Sequence, residues 1–202
     1  MDVLEATEHR THSPLKGKAS YWTVRVGDRS AEHAAWIYPQ PLPEGPKIQG
    51  YLAFYWDQMD AWFEEEQQVY AHARDPYKRV DILPSSRHVR ILLGGVTIAE
   101  THRAQLLIET GLPTRYYIPP QDIRMEFLEP TETTTRCPYK GMATYWSASI
   151  GEQVFKDIVW SYQEPLSACT PLAHLLSFFN ERVDAIYVDD ELLPVPKTQW
   201  SE

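Results

Sequence analysis

The sequence predicts a mainly β protein of two tandem modules, and three observations carry that expectation. The first is a repeat: Cys137-Pro138-Tyr139-Lys140-Gly141, then Tyr145-Trp146, then Trp160-Ser161-Tyr162 has an earlier counterpart in Ser13-Pro14-Leu15-Lys16-Gly17, Tyr21-Trp22 and Trp36-Ile37-Tyr38. Laying residues 3–66 over 127–190 at a single offset of 124, without a gap, makes twenty positions identical, the mark of an internal duplication. The second is that 16 Pro and 9 Gly are spread along the chain, which suits short strands and turns better than long helices. The third is period-two alternation of apolar and polar residues around paired turn signals.

Taken in order, residues 1–66 form a first copy that lacks its leading half, since nothing in it corresponds to residues 88–124. Within it Ala19 to Val26 alternates, Gly27-Asp28 is a hairpin turn and Ala31 to Tyr38 returns. A bend rich in Pro (Pro39, Pro41, Pro43, Pro46) leads into Lys47 to Tyr55, expected as a short helix, and Glu64, Glu65 and Glu66 read as a solvated edge. Residues 67–87 read as an ordered connector of loops. Residues 88–202 form the complete second module. Val89 to Leu93, Gly94-Gly95 and Val96 to Glu100 make a hairpin, and Leu106 to Gly111 ends in a turn. Thr114 to Pro119 is a strand and Ile123 to Leu128 alternates like a half-buried one. Strands at Ala143 to Ile150 and Val154 to Tyr162 flank the Gly151-Glu152 turn, and a short helix over Pro171 to Phe179 precedes a last strand, Ala185 to Val188.

Composition narrows the function classes. A formal net charge of -9 leaves no basic surface for nucleic acid. No apolar run approaches the ~20 residues that span a bilayer, so no membrane partner is expected. Met1-Asp2-Val3-Leu4-Glu5 is acidic and does not read as a signal peptide. Cys137 and Cys169 are the only cysteines and form no zinc motif, which points to a reducing, cytoplasmic setting without metal or cofactor.

The repeated aromatics have two readings, because a small module needs large rings for its core and a ligand pocket is lined by them too. Lysine is more informative. It stands between Pro and Gly in both copies, where a tight turn aims the side chain one way. Chemistry that activates a hydroxyl and holds a developing oxyanion would draw on Glu109, Arg124, Glu129, Lys140, Tyr117 and Tyr145. Lys140 is the candidate for the oxyanion or a carboxylate, and Glu109 or Glu129 for the base. Glu129 and Lys140 recur as Glu5 and Lys16, so a structural Glu–Lys pair in each copy explains them equally well. Cys137 is a candidate nucleophile or a small buried hydrophobe, and its counterpart is Ser13.

Gly94-Gly95, Val96-Thr97-Ile98-Ala99, Leu107-Ile108-Glu109-Thr110-Gly111, Tyr116-Tyr117-Ile118-Pro119, Asp122-Ile123-Arg124, Leu128-Glu129-Pro130 and the central motif together resemble the family filed as domain of unknown function 427, sometimes labelled nucleotidyltransferase-like. The resemblance implies β-tent-like modules, two antiparallel sheets meeting around a cleft, with one short helix each. Members often carry two complete modules, which this chain does not. The nucleotidyltransferase label finds no phosphate loop or acidic metal pair here. Fungal relatives stand beside polyketide enzymes, which implies cyclisation, lactonisation or release of an acyl substrate, carrier-bound or free. Tyr116, Tyr145, Trp146, Trp160 and Tyr162 would then line the substrate cleft. The alternative is a module that binds a small ligand, or serves as a scaffold, without turnover. The truncated first copy would expose sheet edges and apolar surface, so the expectation is either a homodimer or two modules fused through one interface.

Overall fold

The alternation read over residues 17–26 becomes a strand in which Gly17, Ala19, Tyr21 and Thr23 are buried while their neighbours are less so. In the computed structural model, which describes residues 3–201, the chain divides into two units, Met1–His72 and Ala73–Glu202. Met1 and Asp2, which begin the acidic N-terminus, lie outside the described residues.

The first unit contains β1 (Leu4–Ser13), β2 (Gly17–Val26), β3 (Arg29–Ile37) and β4 (Ala53–Phe54), a sheet in that order, and a separate hairpin of β5 (Trp62–Glu64) and β6 (Gln67–Val69). The second unit begins with β7 (Val80–Pro84), β8 (Val89–Leu93), β9 (Val96–Thr101), β10 (Gln105–Glu109) and β11 (Arg115–Ile118). It continues with β12 (Leu128–Cys137), β13 (Gly141–Ile150), β14 (Gln153–Ser161), β15 (Leu176–Phe178), β16 (Ala185–Val188) and β17 (Glu191–Leu192). Its larger sheet runs β12-β13-β14-β15-β11-β10-β7 and its smaller one β17-β16-β8-β9, every named pairing antiparallel. The core holds Val89, Ile91, Leu93 and Ile98 from the smaller sheet's front strands, with Ile118, Val159 and Phe178 from the larger. Each such side chain withdrawn from water contributes about 1.5–3 kcal/mol.

Pairing in the first unit recurs in the second 124 positions on. Leu4↔Val24 and Ser13↔Gly17 answer to Leu128↔Ala148 and Cys137↔Gly141. Tyr21↔Trp36 answers to Tyr145↔Trp160, and Trp36↔Ala53 to Trp160↔Ser177. Even the kink in the third strand recurs, with His33 and Asp157 both left-handed at φ 54° and 48°. At Asp157 the two carboxylate oxygens accept the hydroxyls of Thr131 (2.7 Å) and Thr133 (2.9 Å). At His33 the ring instead stacks on His9, 4.6 Å between centroids.

Several expectations are corrected. Lys47 to Tyr55 is not a helix: Pro46 and Gly50 break it into turns, with Ile48 N–H on Pro46 O and Tyr51 N–H on Ile48 O, before β4. Ile123 to Leu128 is not a strand. Phe127 N–H bonds Arg124 O at 3.1 Å, closing a 3-10 turn over Met125–Phe127, and strand structure starts only at Leu128. Pro171 to Phe179 is not a helix either; a 3-10 segment Ser167–Leu172 ends there and Leu176–Phe178 is β15. Among the described residues the helical segments are short 3-10 stretches, one of three residues in the first unit and, in the second, two of three residues and one of six, rather than one short helix per module. The connector 67–87 holds two strands, β6 on the first unit's hairpin and β7 on the edge of the larger sheet. Among the described residues no helix is long and apolar enough to cross a membrane.

Candidate functional site

β10 buries alternate residues, Leu107 and Glu109, and so carries a carboxylate into the second unit at its last position. Lys140 meets it from the turn between β12 and β13. That turn depends on Gly141: its φ of +99° disfavours any side chain, and a Cβ there would touch Glu164 O at 3.4 Å. The turn is held from its other side by Leu166 N–H on Lys140 O, 3.1 Å. Lys140 Nζ donates to Glu109 Oε2 at 2.6 Å, and both side chains are buried, at 9% and 6% exposure.

A second lysine completes the group. Lys78 Nζ lies 3.1 Å from Glu109 Oε1 and 5.6 Å from the centre of the Tyr139 ring, with 29% of its side chain exposed. Its loop is anchored by Asp75 N–H on the Tyr139 hydroxyl (2.7 Å) and by Arg79 N–H on the Thr110 hydroxyl (2.9 Å). Burial alone would push the Glu109 carboxyl up, but the Lys140 charge and the hydrogen bonds from both lysines outweigh it and hold the group below its ordinary value. Burial likewise opposes the charge on Lys78, and the hydrogen bond and charge of Glu109 more than reverse this. Both directions favour the charged forms of Glu109 and Lys78. Cys169 sits behind the cluster, its Sγ 3.4 Å from Tyr139 O, and burial pushes its thiol up to about 11.

An aromatic group occupies the same sheet. Tyr117, paired with Ser177 between β11 and β15, is fully buried and accepts the Trp160 indole N–H at 2.9 Å. Tyr162 is tilted against it at 6.5 Å and Phe179 packs on Trp160 at 4.6 Å. Burial raises the phenols of Tyr117, Tyr145 and Tyr162, so they remain protonated. Tyr145 is half-buried and shares a 2.8 Å hydrogen bond with the Thr135 hydroxyl. Beyond Trp160, Arg115 makes a buried bidentate pair with Glu181, 2.6 Å for both bonds, and its guanidinium lies 5.6 Å and 5.4 Å from the rings of Trp160 and Trp200.

Of the residues the sequence singled out, Glu109 and Lys140 come together and Tyr117, Trp160 and Tyr162 form one cluster. Others stand apart. Arg124 is exposed, paired with Glu126 at 2.9 Å and laid on Phe127, away from Lys140. Glu129 is exposed and makes no pair with Lys140, whose carboxylate is Glu109; the corresponding Glu5 pairs with Arg25 at 2.8 Å, not with Lys16. The repeated Glu and Lys are therefore not partners. Tyr116 faces Leu106 across the ladder, on the side of the sheet opposite Tyr117. Trp146 and Cys137 are half-buried. Lys78 was missed because it stands in the connector, and Arg115 and Glu181 carry no local signal; Tyr139, beside Lys140 in the repeat, could have been found.

In the first unit the corresponding Lys16 is exposed, with the Tyr38 ring 5.9 Å away and no ion pair among the described residues. The first unit also has a recess of about 460 Å³ whose lining includes His12, Lys18, Ser20 and Gln40. It contains no counterpart of the buried carboxylate.

Fold and site together define a β protein whose second unit holds a carboxylate between two lysines beside a buried aromatic group. The sequence profile of the domain of unknown function family DUF427 matches residues 1–65 and 81–189, and the chain belongs to that family. No curated protein matches it.

Proposed function

We propose that the chain is a cytoplasmic small-molecule enzyme whose second unit acts on an anionic acyl substrate, closing it to a ring or lactone or releasing it from a carrier. The supporting observation is the cluster of Lys78, Lys140 and Glu109, which carries one uncompensated positive charge in a mostly buried setting. Such a charge favours a carboxylate, enolate or developing oxyanion. Lys78 is the longer and more exposed partner and would turn to the substrate, leaving Glu109 paired with Lys140 alone and more basic than in the free protein. Glu109 then takes the proton of a substrate hydroxyl, whose oxygen adds to the acyl carbonyl. Lys78 holds the tetrahedral oxyanion. Collapse breaks the bond to the leaving group, which departs with the proton returned by Glu109. A polyketide-type acyl chain in secondary metabolism is the finer reading, and it rests on the family resemblance.

The competing reading is a binding module that holds the same anion without turnover. It is favoured by the lowered pKa of Glu109, which makes the resting carboxylate a weak base. Synthetic hydroxyacyl thioesters that carry a free carboxylate separate the two. The enzyme reading expects thiol release and lactone formation, reduced ~10²-fold or more by Glu109→Gln and by Lys140→Met in variants that still melt like the parent. Saturable binding of those thioesters with no product would establish the binding module, and full turnover by Glu109→Gln would remove the assigned base.

A further inference from the structure

The first unit ends where the second continues. In the second unit β15 is covered on its outer edge by β11, with Tyr117↔Ser177 and Ile118↔Leu176, whereas the corresponding β4 is the last strand of its sheet. The consequence shows in exposure: Leu52 is 36% exposed and Tyr55 42%, against 2% for Leu176 and 8% for Phe179 at the matching positions. Tyr51, next to this edge, is 72% exposed.

The ladder fixes which backbone groups face outward. Tyr55 N–H bonds Ala34 O at 2.9 Å, and Ala53 and Trp36 are partners. Because antiparallel pairs alternate between hydrogen-bonded and open, Ala53 turns its N–H and C=O to Trp36 while Leu52 and Phe54 turn theirs away from the sheet. This is the pattern by which Leu176 meets Ile118 in the second unit.

We infer that β4 is an interaction edge and that its partner is β4 of a second copy of this chain, joined antiparallel about a two-fold axis at Ala53. In that arrangement Leu52 of each copy pairs with Phe54 of the other, giving four backbone hydrogen bonds. Ala53 meets its own copy at the open pair, where Cα atoms approach to ~4.5 Å and a small side chain fits. The required sense is the antiparallel sense in which β11 covers β15. About the same axis Leu52 lies against Phe54 of the other copy on one face and Tyr55 against its Tyr51 on the opposite face, which covers apolar side chains that an unpaired edge leaves exposed.

Light scattering on the full chain tests this, with an expected mass twice the chain's 23.4 kDa. Leu52→Pro removes one outward N–H without touching the Ala53–Trp36 pair, and Leu52→Asp keeps the N–H but charges the edge; both are expected to shift the species to monomer. Hydrogen exchange should show slow amides at Leu52 and Phe54 in the parent and fast ones in Leu52→Asp. A parent that stays monomeric at ~100 μM, a dimer that survives Leu52→Asp, or fast exchange at Leu52 in a dimeric parent each overturns the proposal. If Leu52→Pro misfolds, Leu52→Asp decides.

Discussion

Glu109 is held by opposing effects, and their balance has a measurable sign. Burial disfavours its charge, but Lys140 and Lys78 outweigh burial and lower its folded value below the ordinary 4.5. A carboxyl whose folded value is depressed contributes stability above its unfolded value and loses it as pH falls through the folded one. Glu181, where burial is outweighed only by the hydrogen bonds from Arg115 and Thr198 together with a backbone hydrogen bond and the Arg115 charge, is lowered too and behaves in the same way. The protein should therefore lose melting temperature steeply from about pH 4.5 downward, and Glu109→Gln should flatten part of that slope while lowering stability near neutrality. Melting curves from pH 7 to pH 3 read this directly; parallel pH profiles for parent and variant would show that Glu109 is not differentially ionised. Glu109→Ala leaves two ammonium groups without their carboxylate and should cost roughly 3–5 kcal/mol, less whatever Lys78 recovers by turning to solvent.

At the scale of elements, the turn that aims Lys140 is the sensitive point. Gly141→Ala places a side chain at φ +99°, where backbone strain costs about 1–3 kcal/mol, and pushes on Glu164 O. Gly151, at φ +58° with nothing within 4 Å, should accept Asn with little loss. Urea melts of the two variants are expected to differ by at least ~1 kcal/mol in that order, and equal stabilities would mean that the Lys140 turn relaxes freely. These turns were legible in the sequence because Gly and the repeat marked them, and β2, β3, β13 and β14 were legible from alternation. The misread stretches have a common physical cause. Leu172, Leu175, Leu176 and Phe179 are spaced as on a helix, yet β14 and β11 offer hydrogen-bonding edges on both sides of Leu176–Phe178 and claim it as a strand. Ile123, Met125 and Phe127 alternate, but beyond one bridge between Ile123 and Ala99 they join no strand ladder and the backbone closes a turn instead. Half of the site was legible for the same reason. Lys140 is marked by the repeat and Glu109 by its place in a strand, while Lys78 reaches them only because β7 pairs with β10 and brings residues 78 and 109 together.

The two units differ in what holds them. Among the described residues the first buries Ala19, Tyr21, Ala34, Ala35 and Val69 as its apolar core, three of them alanine, whereas the second has a continuous core through both its sheets. At about 1.5–3 kcal/mol per large buried side chain, the second unit has many times the hydrophobic stabilisation of the first. A fragment of residues 73–202 should thus fold alone and keep Lys78, Glu109 and Lys140 in place, since all three belong to it. Calorimetry of the full chain should show two transitions. The upper should match the isolated fragment and not depend on protein concentration. The lower, belonging to the first unit, should rise by a few degrees per tenfold increase in concentration if β4 is shared between copies, because association stabilises only the folded edge. Leu52→Asp should abolish that dependence and leave the upper transition where it was. One transition common to the whole chain, or a 73–202 fragment that fails to fold, would show that the second unit's core does not stand without the first.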